Sequence, residues 1–299
     1  MSPAARPKKS PHAEAAAQLR ELEALAGDPT AQVAWATQLM EASRQLEVVR
    51  TALRVLEEAA DPALRPALYA KYEWCERTPS TRDSSGFIRA SIVRALQPII
   101  RPDDLPLLQR ALTTYQMQGL YELCAELRAA ALVAANELDP GFAALFAARF
   151  LTDPLTSFSG EPARTAIQIL TAQQQLAPVF ALASWGNAHG EVVGEALRSL
   201  TGLPESLVPL LIERHRESED EQVLLGLFDL LLGHPARAAW RDEIAAFLRT
   251  TALLDLYGIV AMQIVASRDE GLIGLLREVS STERDRDKAR LLGHALELA

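Results

Sequence analysis

Lysine is nearly missing from this 299-residue chain, since 26 of its 30 basic residues are arginine and only Lys8, Lys9, Lys71 and Lys288 are lysine. Cysteine is as scarce. Cys75 and Cys124 cannot build a disulfide framework or a four-ligand zinc site by themselves, and both fall on apolar helical stripes, which predicts buried free thiols. No stretch approaches the roughly 18 uninterrupted apolar residues of a membrane helix, and the opening MSPAARPKKSPH has no apolar core of signal-peptide length. No membrane contact and a cytoplasmic location are therefore expected. Glycine-rich phosphate loops are also lacking: Gly186, Gly190 and Gly194 surround a predicted helix start, with none of the preceding strand that a P-loop or dinucleotide fold needs.

Metal chemistry finds no foothold either. His12, His189, His215, His234 and His294 fall in different segments without ligand spacing, and capping or surface roles are expected for them. His189-Gly190-Glu191 matches half of a zinc-deaminase signature whose Pro-Cys-x-x-Cys partner is missing. No metal, cofactor or catalytic residue is assigned, and the chain is not read as an enzyme.

What is present is apolar and helical. Hydrophobic residues make up 49% of the chain, aromatic residues only 6%, and alanine and leucine dominate, as in packed helices. The 39 acidic residues give a formal charge of −9, which disfavours sequence-independent nucleic-acid binding, because that affinity comes from neutralised phosphates.

The stretch from Gly86, GFIRASIVRALQPIIRPDDLPLLQRALTT, is the unit that the rest repeats. Ile92, Ala95, Leu96 and Ile99 line one face of a helix, Arg101-Pro102-Asp103 breaks it, and Leu105, Leu108 and Leu112 restart the pattern. Similar hairpins follow through the chain. The opening stripe residues of the second helices, Val33, Leu64, Leu105, Phe142, Leu176, Leu207, Ile244 and Leu272, recur at intervals of 28 to 41 residues. Asp28-Pro29, Asp61-Pro62 and Asp139-Pro140 supply N-cap and first-turn signals, while Ser218 to Glu221 and Thr282 with Asp285 read as capping boxes.

The predicted fold is all-α: a right-handed α-α superhelix (α-solenoid) of about eight stacked helix hairpins with a C-terminal capping helix, seventeen helices in all. Residues 1–11 read as a disordered tail and 12–299 as one solenoid domain, with loop insertions near 77–86 and 152–160 and the capping helix over 282–299. A monomer is the default.

These hairpins resemble the HEAT-repeat (armadillo-like) family. The carrying segments are RASIVRALQPIIRPDDLPLLQRAL from Arg89, VVGEALRSLTGLPESLVPLLIER from Val192 and LDLYGIVAMQIVASRDEGLIGLLREV from Leu254, covering about Pro29 to Ser280. The Asp and Arg or Lys that the family carries at fixed turn positions are erratic here. The resemblance implies a non-catalytic scaffold or adaptor that binds a protein partner on its concave face. Two other classes stay open. One is a HEAT-like DNA-repair enzyme of the alkylpurine glycosylase type, which requires a positive groove where a Trp and a carboxylate converge; Trp240 has Glu243 three residues on. The other is a HEAT-like chromophore- or small-molecule-binding protein with a pocket near Trp185 to His189.

Arg149 and Arg214 stand in the last turns of their helices, and with Arg110 they form a candidate protein-binding set reaching for acidic groups. The same pattern also fits arginines meeting a helix C-terminal dipole. The acidic run Glu217-Ser218-Glu219-Asp220-Glu221 could steer a basic partner, although acids in a first helical turn need none to account for them.

Overall fold

The computed structural model describes residues 11–155, 159–185 and 188–299. The tail expected at the N-terminus lies, up to residue 10, outside them. Among the described residues the protein holds eighteen α-helices and one two-stranded hairpin. Seventeen of the helices are the expected ones, and the eighteenth is a single turn inside the predicted insertion near 77–86.

Two compact units divide the chain. The first runs to Phe146 and includes Pro154–Thr165; the second comprises Ala147–Asp153 and Ala166–Ala299. In the first, α1 (Pro11–Ala24) and α2 (Pro29–Ala42) are followed by α3 (Leu46–Ala59), α4 (Arg65–Arg77), the short α5 (Pro79–Arg82), α6 (Phe87–Leu96) and α7 (Leu105–Leu112). Strands β1 (Met117–Gln118) and β2 (Tyr121–Glu122) and α8 (Ala125–Leu138) come next, and α9 (Pro140–Phe150) is divided between the units after Phe146. Helix α1 packs on α3, α3 on α6 and α6 on α8, while α2 packs on α4, so alternate helices are neighbours.

The second unit keeps that alternation. After α10 (Ala163–Ala172) it contains α11 (Leu176–Trp185), α12 (Gly190–Arg198), α13 (Val208–His215), α14 (Glu221–Gly233), α15 (Arg241–Thr250), α16 (Leu254–Ala266), α17 (Glu270–Thr282) and α18 (Arg286–Glu297). Helices α12, α14, α16 and α18 form one consecutive row, with α11 against α13 and α15 against α17 beside it.

Each aspartate of the three Asp-Pro signals accepts a helix-start amide: Asp28 from Ala31 at 3.1 Å, Asp61 from Ala63 at 2.9 Å and Asp139 from Phe142 at 2.9 Å. The two expected capping boxes are different devices. Asp220, not Ser218, caps α14, accepting from Gln222 N and Val223 N, while the Ser218 hydroxyl accepts from Asp220 N. Asp285 is itself the cap of α18, and the Thr282 hydroxyl turns back to the Glu278 and Val279 carbonyls inside α17.

Three apolar readings also change. Leu120, read as the start of a helical stripe, is 93% exposed at the tip of the hairpin, and α8 begins only at Ala125. The two-residue loop Gly119-Leu120 sets Gly119 at φ 62°, the left-handed first loop position at which glycine is favoured in a II′ hairpin. Leu145 is 74% exposed, because α9 buries its small face, Ala143, Ala144 and Ala147, together with Phe150. On α13 the buried set is Val208, Leu211, Ile212 and His215, while Leu210 faces solvent.

Candidate functional site

Two seams join the hairpins α12/α13 and α14/α15, and they are unlike. Along the seam of α12 with α14 the backbones touch: a Cβ on Gly194 would lie 2.3 Å from the Gln222 carbonyl oxygen, and one on Gly226 would lie 2.3 Å from that of Gly194. Only glycine fits such an approach without displacing main chain. Helix α13, by contrast, packs on α11 and α15 on α17, and α13 and α15 meet only loosely. Two open cavities occupy the gap.

The larger cavity, about 520 Å³, is floored by the α14 stripe Leu224, Leu227, Phe228 and Leu231 and walled by Ile212 of α13 and Phe247 of α15. Sequence periodicity placed all these α14 residues in the core, and they are buried; Phe247, read the same way, is half-exposed. Its ring stacks tilted on Phe228, with centroids 4.2 Å apart. The smaller cavity, about 380 Å³, is backed by Trp240 and Pro209. Ile212, Arg216 and Glu243 line both, making one trough beside α13.

Its rim is acidic. Glu217, Glu219 and Glu243 edge the larger cavity and Glu213 and Asp242 the smaller, against the single guanidinium of Arg216. Arg216 reaches Glu217 and Glu243 only at 4.0 Å each, so the carboxylates are poorly neutralised. An apolar floor inside a polar rim is the arrangement in which a few buried anchor side chains carry most of the energy of a protein interface.

Buried histidines support this region. Nε2 of His215 donates to the Ala183 carbonyl at 2.8 Å, and Nε2 of His234 donates to the Leu203 carbonyl at 2.8 Å. His234 is the C-cap of α14, as expected, though buried; His215, in the last turn of α13, is buried rather than at the surface. Burial lowers the pKa of His215 more than its carbonyl bond raises it, and Arg214 adds a further lowering.

The three candidate arginines fall on both units. Arg110, on α7 of the first unit, donates to Glu73 at 2.8 Å and Glu76 at 3.2 Å, so it is paired to α4. Arg149 and Arg214, in the second unit, are exposed. Trp185, next to the expected pocket, is 76% exposed and meets Phe180 edge-on at 6.4 Å; residues 186–187 lie outside the described residues.

The first unit holds a second concentration of charge, this one buried. Asp83, at the end of the predicted insertion, accepts from the backbone amides of Ile88 and Arg89 and pairs with the Arg89 guanidinium at 2.8 Å. Glu122 pairs with Arg128 at 2.9 Å and accepts from the amides of Gln116 and Cys124. These added bonds offset the desolvation that makes lone buried ion pairs costly. They anchor a hairpin whose tip exposes Met117, Leu120 and Tyr121. Burial pushes the Cys124 thiol up to about 11 and the Cys75 thiol up to about 12, which removes the thiolate a nucleophile would need.

Comparison with family models, curated proteins and solved structures finds no match for this chain.

Proposed function

We propose that the protein is a non-catalytic scaffold or adaptor, a HEAT-like α-solenoid that binds another protein along its second helices. One observation carries this reading: side chains bond to their counterparts one hairpin away. Arg65, at the start of α4, forms a bidentate pair with Asp104, just before α7, at 2.6 and 2.7 Å. Arg237, before α15, pairs with Asp269, the cap of α17, at 2.8 Å. In each case an arginine at one turn meets an aspartate at the next, as expected of turns stacked in register. His234 reaches the Leu203 carbonyl of the preceding turn, and Gln97, after α6, donates to Glu137 in the last turn of α8.

Stacked repeats present long surfaces on which affinity is assembled from many modest contacts. The acidic trough favours a protein partner over a DNA backbone, which its carboxylates would repel. Full-length protein immobilised and exposed to native lysate is expected to retain a partner saturably and release it to excess free protein. Excision of alkylated bases from duplex DNA would replace this reading with the repair-enzyme one.

A further inference from the structure

We infer that the trough between α13 and α15 receives a basic segment of a partner protein carrying large apolar anchor residues; this deepens the scaffold reading and rests on it. The joint is open where its neighbours are closed. The seam of α12 with α14 is pinched by Gly194 and Gly226, and α15 closes on α17, so the hairpins are held at fixed spacing while the α13 side stays apart. Most of the floor is already covered in the free protein, Leu227 and Leu231 being 1% exposed and Phe228 4%, so the surface open to an occupant is chiefly that of Phe247, Ala246 and Thr250 on α15.

Apolar and charged features then define the occupant. A cavity of about 520 Å³ beside Phe228 and Phe247 accepts large aliphatic or aromatic side chains. Five carboxylates, Glu213, Glu217, Glu219, Asp242 and Glu243, face the opening against one guanidinium, Arg216. An anionic or nucleic-acid ligand is repelled by that balance, whereas lysines or arginines flanking the anchors are drawn to it and orient the segment. The trough continues past Ile212 into the second cavity at Trp240, which suits an extended or helical segment with anchors on successive turns.

Full-length protein and a short fluorescent peptide with Leu and Phe set among lysines form the test, read by anisotropy. Two companion peptides replace the Leu and Phe by serine, or the lysines by glutamate. Binding is expected for the first peptide alone, and to weaken by about tenfold or more in a Glu217→Lys/Glu219→Lys variant and again in Ala246→Trp, which fills the cavity mouth from an exposed position of α15. Thermal melts matching wild type confirm that both variants fold. Equal binding of the serine peptide, or binding unchanged in Ala246→Trp, overturns the inference. So does a wild-type dimer in sedimentation that Ala246→Trp dissociates, since the occupant is then a second copy of this chain. Lysate capture separates the two levels: a partner retained equally by wild type and Ala246→Trp removes the trough but leaves the scaffold standing, whereas no partner on wild type removes the scaffold.

Discussion

Two seams of the second unit lie side by side between the same two hairpins and are built on opposite terms. At α12 with α14, glycine at Gly194 and Gly226 lets main chain meet main chain. At α13 with α15 the side chains stay apart, and the interval is left to solvent, aromatic surface and carboxylates. A third solution joins hairpins in the first unit, where the Arg65 and Asp104 pair is further tied by Tyr69, by the Arg101 amide and by an Arg65 bond to the Ile99 carbonyl. Helix hairpins can therefore be welded by backbone, bolted by ions or left open. The open joint has room for a visitor over an acidic rim.

The ionic joint offers the largest expected effect. Asp104→Ala strands the Arg65 guanidinium, whose side chain is only 13% exposed, and should cost about 3–5 kcal/mol of stability in urea titration. A loss under about 1 kcal/mol would mean the pair is a surface ornament. At the backbone weld, Gly226→Ala should cost about 1–3 kcal/mol because its methyl has nowhere to go. Gly293→Ala, in α18 with no atom within 4 Å of the new carbon, should instead stabilise by about 0.4–1 kcal/mol. If both substitutions moved stability in the same direction, the weld would lose its meaning.

Acid should act on the region beside the open joint. The folded-state pKa of His215 is held below its ordinary 6.5, so the unfolded chain binds the extra proton first as pH falls. Stability is then unaffected by this residue above pH 6.5 and declines as pH drops from there toward the folded-state value. His215→Gln, which keeps a donor for the Ala183 carbonyl, should flatten that decline in melts across pH 7 to 5. An identical slope in the variant would locate the acid sensitivity elsewhere. The smallest effect belongs to Arg110→Ala: its pairs with Glu73 and Glu76 are half in water, and exposed pairs contribute less than about 1 kcal/mol.

Much of this architecture was readable along the chain. The 3.6-residue stripes located the long helices, and the aspartates at Asp28, Asp61 and Asp139 marked helix starts, because both signals act within a few residues. Leu120, Leu123, Cys124 and Leu127 satisfy the same helical spacing, yet the first three precede α8, with Leu120 at the turn of the hairpin. Local spacing cannot register the buried pairing of Glu122 with Arg128 that holds the hairpin in place. Helix α9 misled for another reason, since its buried face is made of alanines and Phe150 and Leu145 points outward. The trough was out of reach altogether. Phe247 belongs to a regular stripe, and only the distance between two helices decides whether such a residue is core or wall. The acidic run from Glu217 was visible, but its meaning depends on the apolar floor that α14 sets beneath it.

Both thiols of the protein, Cys75 and Cys124, are buried in the first unit, and their raised pKa values leave them inert at neutral pH. An alkylating reagent added to the native protein thus waits for that unit to open before it can react, while the second unit offers it nothing to label. The chain carries its own stopwatch: the rate of alkylation times the opening of one half, and a circular-dichroism trace of the whole, taken alongside, shows whether the other half keeps the same time.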